Sequence, residues 1–266
     1  MQAVLRTIAT AVFVAIALRA QADDSVRPAP VAVDWKLPLW ADTLEGFEAS
    51  LRLGNTSAAE VSLRYAYSTG DAGTAPTKAL EHGQFTFRVP PPARPAMGTL
   101  TLVASFSADE KIVESAPTSL PLAYVEELDI TGNPPVELLY PLGDDTLLAK
   151  YIPCCNIFGG TMMVSRYPVN PVDSAEGLPG ATFSDYAHFA PDDLVVTTAG
   201  LHMHFTFDLA KAREAGAEKI APFLWDEDQH RWNVLDSYQT DVTAGTMDFH
   251  YPAGGLFVLA AANLGE

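Results

Sequence analysis

The sequence predicts an all-β protein built from two β-sandwich domains, an immunoglobulin- or fibronectin-like domain followed by a second antiparallel sandwich. Short segments in which apolar and polar residues alternate recur along the chain, as in strands with one buried face. Clusters of Pro, Gly, Asn and Asp separate these segments at short intervals, which is typical of turns. Long amphipathic helical patterns are absent from the sequence. The three observations together favour antiparallel sheets over a helical or α/β fold.

Residues 1–22 have the composition of a cleaved signal peptide. Arg6 precedes an apolar run over residues 7–18, which is too short to cross a bilayer as a helix. Ala20 and Ala22 provide the small residues of a cleavage site. The sequence therefore predicts an exported protein, periplasmic or extracellular, whose mature chain has no transmembrane segment.

The chain is strongly acidic. It contains 16 Lys and Arg against 33 Asp and Glu, a formal net charge of −17 at pH 7. Loss of Arg6 and Arg19 with the leader makes the mature chain more acidic still. This charge argues against nucleic acid and anionic membrane surfaces as partners. The expected partner is an unidentified protein or surface ligand, and the acidic balance also favours cation binding.

Residues 31–126 are expected to form the immunoglobulin-like domain. Alternating segments follow one another in this stretch, with clear examples at residues 47–53, 61–67 and 85–89. Their number and spacing are typical of such a sandwich. The chain has no Cys–Trp–Cys framework, so an antibody-type domain is excluded.

Residues 127–145 are rich in Pro, Gly and acidic residues, and we expect the linker between the domains there. Residues 136–140 within this stretch are compatible with an edge strand. The second domain is expected over residues 146–266.

The second domain continues the strand pattern and contains one short helix. Asp208 precedes a two-turn helical segment over residues 209–215 and is suited to cap it. Residues 220–225 and 231–235 are expected to pair as a hairpin. The other strands are expected at residues 147–152, 161–169, 201–208, 244–252 and 254–261.

Several segments within residues 159–262 resemble the β-sandwich module of zona-occludens proteins, netrin receptors and ankyrins, which also occurs in secreted bacterial proteins. The segments are Gly159-Gly160, HFAPDDL at 188–194, the hairpin in which Trp225 and Trp232 flank an acidic loop, and the closing strands at 244–261. The resemblance implies a sandwich that acts as a binding or structural element rather than as an enzyme.

The strand at residues 201–208 carries the candidate metal site. His202 and His204 are two residues apart, so both imidazoles lie on one face of the strand. Two imidazoles at this spacing bind a zinc or copper ion when further ligands join them. His188 and His250 are the candidate further ligands. The alternative is a solvent-exposed face that carries histidines without binding a metal.

Cys154 and Cys155 are adjacent, and an oxidising compartment favours thiols that are bonded or liganded. Adjacent Cα atoms are about 3.8 Å apart, closer than the ~4.4–6.8 Å usual for a disulfide. A strained vicinal disulfide is the favoured interpretation. The alternatives are soft Cu(I) ligands acting together with Met162 or Met163, and buried inert thiols.

No sequence motif indicates catalysis. A G-x-S-x-G motif is absent, and the acidic segment at 226–228 lacks the spaced ligands and the Gly of a calcium loop. The sequence therefore predicts a non-catalytic binding or structural protein of the periplasm or cell exterior. The alternative function is a periplasmic copper- or zinc-binding protein that uses the His-x-His strand.

Overall fold

A computed structural model describes residues 33–54, 60–80, 83–108, 111–129, 138–141, 147–151, 161–190, 201–215 and 219–262. Within these ranges the chain forms strands joined by turns, together with one short helix, so the all-β prediction is confirmed. The leader at 1–22 and Cys154-Cys155 lie outside the described residues. No helix in the described ranges is long and apolar enough to span a membrane.

The first half of the chain contributes ten strands to the described structure. Strands predicted at residues 47–53 and 61–67 have those bounds. The strands are β1 (Val33–Lys36), β2 (Ala41–Asp42), β3 (Phe47–Leu53), β4 (Val61–Tyr67), β5 (Ala72–Ala75), β6 (Thr77–Ala79), β7 (Gln84–Val89), β8 (Gly98–Ala108), β9 (Lys111–Glu114) and β10 (Thr118–Asp129).

The second half contributes ten further strands and helix α1. Asp208 caps the helix as predicted, because its side chain accepts a hydrogen bond from the backbone N–H of Lys211. The elements are β11 (Leu138–Pro141), β12 (Leu147–Tyr151), β13 (Thr161–Tyr167), β14 (Tyr186–Ala190), β15 (Leu201–Thr206), α1 (Leu209–Glu214), β16 (Ile220–Asp226), β17 (Arg231–Val234), β18 (Tyr238–Asp241), β19 (Thr246–Tyr251) and β20 (Gly255–Ala261).

Two sheets enclose the core of the first half. The four-stranded sheet has the order β1-β3-β7-β6, and it faces the part of a long sheet that contains β10-β8-β4-β5. Leu51 and Phe87 of the first sheet pack with Leu63 and Leu102 of the second. Alternate residues of β4 and β7 are buried, as period-two patterning requires.

Strand β10 continues from the first half into the second. Its first part pairs with β8 as far as Leu122, and its second part pairs with β13 from Tyr124 to Asp129. Residues 127–129, which the sequence assigns to the linker, therefore lie in a paired strand. The edge strand expected at 136–140 corresponds to β11, shifted by one or two residues.

The core of the second half lies between a five-stranded sheet and the long sheet. The five strands have the order β11-β12-β15-β19-β18, and the long sheet continues as β13-β14-β20-β16-β17. Aromatic rings fill the space between them: Phe205 stacks on Phe249 at 5.5 Å between centroids, and Phe257 contacts both Phe249 and Phe189. The five-stranded sheet therefore has one face in this core and one face outside it.

A chain segment at residues 168–180, here called the cover segment, packs on the other face of the long sheet. The indole N–H of Trp232 donates to the carbonyl of Ser174, and the backbone N–H of Trp232 donates to that of Glu176. Trp232 is consequently almost fully buried although it lies on an edge strand. The cover segment therefore forms a third layer, which covers the face of the long sheet that points away from the five-stranded sheet.

Candidate functional site

The outer face of the five-stranded sheet brings several of the sequence-predicted residues together. Strands β15 and β19 pair antiparallel, so that His202 lies opposite His250 and His204 lies opposite Asp248. Residues directly opposite each other in such a pair point to the same side of the sheet. The intervening residues are buried in the core. The four polar side chains thus form one patch, here called the His–Asp cluster.

Asp248 joins the two histidines of β15. Its Oδ1 atom lies 3.2 Å from Nε2 of His202 and 2.9 Å from Nδ1 of His204. Because an ionised carboxylate only accepts hydrogen bonds, each of these ring nitrogens carries the donated hydrogen. The two imidazoles therefore converge on a single point, which the carboxylate oxygen occupies. Each of the three side chains is about one third exposed.

His250 completes the patch by stacking on His202. The two rings are nearly parallel, with an interplanar angle of 16° and centroids 4.4 Å apart. His250 itself is exposed to solvent. Its ring therefore lies directly beside a histidine that contacts Asp248.

A concavity of about 330 Å³ opens beside the cluster. Gln239 of β18 lies opposite Asp248 in the strand register and contributes to the wall. The lining residues are His202, Ser237, Tyr238, Gln239, Asp248, Phe249 and His250. The cluster is therefore accessible from solvent and has hydrogen-bonding neighbours on one side.

His188 does not join the cluster. It lies on β14 of the long sheet, opposite Ser165 and Leu256. Its neighbours Ala187 and Phe189 point into the core that faces the five-stranded sheet. Because side chains alternate along a strand, His188 points away from that core and from the His–Asp cluster. Its position close to the His-x-His strand in the sequence does not place it nearby in space.

Asp248 was missed by sequence reasoning, although a signal for it exists. The segment from Asp248 to His250 is a D-x-H pattern that complements H-x-H on the neighbouring strand. Alternation places Asp248 on the face of His250, opposite the buried Met247 and Phe249. No comparable signal indicates Gln239, because its position depends on which strand pairs with β19.

The side chains are arranged for hydrogen bonding rather than for metal coordination. In the described part of the chain, no three His, Cys, Asp or Glu side chains already meet in a metal-binding geometry. Zinc–imidazole bonds of about 2.0–2.1 Å are shorter than the present contacts to Asp248. A metal ion at this point would take the place that the oxygen of Asp248 now occupies between the two ring nitrogens.

Met162 and Met163, the methionines considered as copper ligands together with the cysteine pair, point in opposite directions. Met162 is buried in the core, whereas Met163 on the other face of β13 is partly exposed. This is the alternation of a strand. Only Met163 is therefore accessible as a partner for a metal ion bound outside the core.

No protein-family model matches the chain, and no curated protein matches it. Among solved structures it is similar to an uncharacterised protein from Listeria monocytogenes EGD-e, with 10% identity and a TM-score of 0.23. It is also similar to a cycloalternan-forming enzyme from Listeria monocytogenes in complex with pentasaccharide substrate, with 10% identity and a TM-score of 0.24. Each match covers 84% of this chain and 30% of the other. Similarity at this level identifies neither the fold nor the function of the chain.

Proposed function

We propose that the protein is an exported, non-catalytic binding protein that holds a zinc or copper ion at the His–Asp cluster. The observation that carries the proposal is the convergence of His202 and His204 on one point beside a third histidine. Imidazole nitrogens with a carboxylate oxygen form a donor set suited to Zn²⁺ and Cu²⁺. Three histidines and one aspartate supply up to four donors, the number that zinc prefers.

The same proposal includes the finer architecture and the location. The first half is an immunoglobulin-like sandwich, supported by two sheets that share one core. The second half is a sandwich of the zona-occludens and netrin-receptor type, supported by its hairpin in which Trp225 and Trp232 lie opposite each other. Export to the periplasm or cell exterior is supported by the composition of residues 1–22.

Binding exchanges hydrogen bonds for coordination bonds. His202 and His204 turn the nitrogens that now face Asp248 towards the ion, with their remaining hydrogens on the opposite ring nitrogens. Asp248 changes from hydrogen-bond acceptor to ligand, or orients the imidazoles from outside the coordination sphere. Since a protonated imidazole has no free lone pair, metal affinity falls at acidic pH.

Calorimetric titration of the exported chain, residues 23–266 without a His tag, tests the proposal. Zn²⁺ and Cu²⁺ are added separately to wild type and to the His202→Ala/His204→Ala variant. We expect about one equivalent of metal with a dissociation constant at or below about 1 μM. We expect the double variant to bind at least about tenfold more weakly, a loss of about 1.4 kcal/mol.

His188→Ala is the matched control, because it removes a histidine that faces away from the cluster. It should bind metal as the wild type does. Equal losses in the control and in the double variant would mean that binding is not located at the cluster. Dissociation constants of wild type well above micromolar for both metals would overturn the proposal and leave a binding protein for a protein or surface ligand.

A further inference from the structure

The outer face of the four-stranded sheet in the first half, here called the cationic face, is positively charged on an otherwise acidic protein. Among the residues that the structure describes, this face carries four Lys and Arg against two Asp and Glu. The charged residues of this face are Lys36, Arg52, Lys78, Arg88, Asp34 and Glu48. The local charge is therefore opposite to that of the whole chain.

Of the four cations on this face, only Arg88 forms an ion pair within the part of the chain that the structure describes. Arg88 forms an ion pair with Glu48 at 3.3 Å. Lys36 and Arg52 form no ion pair with any residue that the structure describes. Both are exposed on neighbouring strands, Lys36 on β1 and Arg52 on β3. They are available to a ligand that carries negative charge.

These two cations line a groove of about 650 Å³. Arg52 lies opposite Asp34 on one side and Gln84 on the other, so the groove crosses β1, β3 and β7. The lining residues are Asp34, Lys36, Ser50, Leu51, Arg52, Leu80 and Gln84. Because the groove crosses the strands, side chains hold its ligand, and a peptide cannot add here as an extra strand.

We propose that this groove binds an oligosaccharide that carries carboxylate groups, that is, a chain of uronic acids. Arg52 and Lys36 bind the sugar carboxylate through charge-assisted hydrogen bonds. Asp34 accepts hydrogen bonds from sugar hydroxyls, whereas Ser50 and Gln84 both donate and accept them. Leu80, an exposed apolar side chain at the rim, covers the apolar face of a sugar ring. The proposal is independent of the metal site.

The mixture of charges in the groove favours such a sugar over an acidic peptide. The acidic side chain of a peptide carries a carboxylate and no hydroxyl, so it can bind the cations but offers no hydrogen to Asp34. A uronic acid carries one carboxylate among several hydroxyls, so one ring matches both the cations and Asp34. The volume of the groove also lies within the range of small-ligand sites, roughly 300–1,000 Å³.

Calorimetry and backbone NMR of the exported chain test the proposal with three uronic-acid trisaccharides, of galacturonate, mannuronate and glucuronate. A neutral glucose trisaccharide and a triglutamate peptide serve as comparison ligands. We expect at least one uronate to bind at least about tenfold more tightly than both, a difference of about 1.4 kcal/mol. We also expect amide shifts at Ser50, Arg52 and Gln84 rather than at the His–Asp cluster.

The Lys36→Gln/Arg52→Gln variant should lose at least tenfold in affinity for that uronate. Arg88→Gln, which removes an ion-paired cation of the same face, should retain the affinity. Failure of all three uronates to bind, stronger binding of the peptide, or equal affinity of both variants would overturn the proposal. The amide shifts of wild type locate the ligand without any substitution, so a variant that fails to fold does not prevent a decision.

Discussion

At the scale of single residues, Asp248 determines the arrangement of the His–Asp cluster. Its carboxylate contacts both histidines of β15. Without it, the two imidazoles would lose the hydrogen-bond acceptor that they share. Asp248 therefore stabilises the observed arrangement of the two imidazoles through these hydrogen bonds.

The two faces of β15 should differ sharply in their contribution to stability. Phe205 is 2% exposed and stacks on Phe249, so Phe205→Ala should lower the free energy of unfolding by about 3–5 kcal/mol. His204 is partly exposed and makes one hydrogen bond to Asp248, so His204→Ala should cost about 1 kcal/mol or less. Urea denaturation of both variants measures the difference. A larger loss at His204 than at Phe205 would contradict the assignment of the buried face.

At the scale of elements, residue alternation indicates which face of a strand is buried but not which strand lies beside it. The His-x-His pattern correctly predicts that Leu201 and Met203 point to the core while His202 points out. It cannot show that β19 is the neighbour of β15, and so the role of Asp248 was not predicted. For the same reason the sequence predicts His188 as a further ligand, although it lies in another sheet.

Close packing of the cover segment against Trp232 requires a glycine at residue 177. Gly177 has a φ of +87°, and a Cβ atom there would lie 2.0 Å from the carbonyl oxygen of Trp232. Gly177→Ala should therefore displace the segment and expose Trp232. We expect a loss of more than about 2 kcal/mol in unfolding free energy, together with a red shift of tryptophan fluorescence.

Gly180→Ala is the matched control for this prediction. Gly180 also has a positive φ, but a Cβ atom there would meet nothing within 4 Å. Gly180→Ala should therefore lower the free energy of unfolding only by the backbone strain of the new residue, about 1–2 kcal/mol. The fluorescence of Trp232 should stay unchanged. Equal effects of the two substitutions would show that close packing against Trp232 does not hold the segment.

At the scale of the whole molecule, β10 connects the two cores. Leu120 and Leu122 belong to the core of the first half, whereas Tyr124 and Leu128 belong to that of the second. The composition of residues 127–145 predicts a change of domain in this region. It does not predict the continuous strand, because Glu126 and Glu127 interrupt the apolar alternation within β10 although both pair with β13.

A substitution of Thr43 tests whether the two halves unfold together. Its hydroxyl donates to the carbonyl of Ala123 and accepts from the N–H of Val125, in the middle of β10 where its pairing partner changes. Thr43→Val keeps the shape but leaves a buried donor without this partner, at a cost of about 1–3 kcal/mol. Because both cores depend on β10, we expect one cooperative transition that shifts as a unit to lower urea concentration.

Two probes follow the halves separately in this experiment. Fluorescence of single-tryptophan variants that retain Trp35 or Trp232 reports the first or the second half, and far-UV circular dichroism reports all strands. Thr101→Val is the matched control, since the Thr101 hydroxyl contacts Ser119 on the exposed surface, and it should change stability by at most about 0.5 kcal/mol. If Thr43→Val shifted the Trp35 transition while the Trp232 transition stayed in place, the two cores would unfold independently. Coincident shifts would mean that β10 couples the two cores. The hydrogen bonds lost at Ala123 and Val125 would then lower the stability of both cores together.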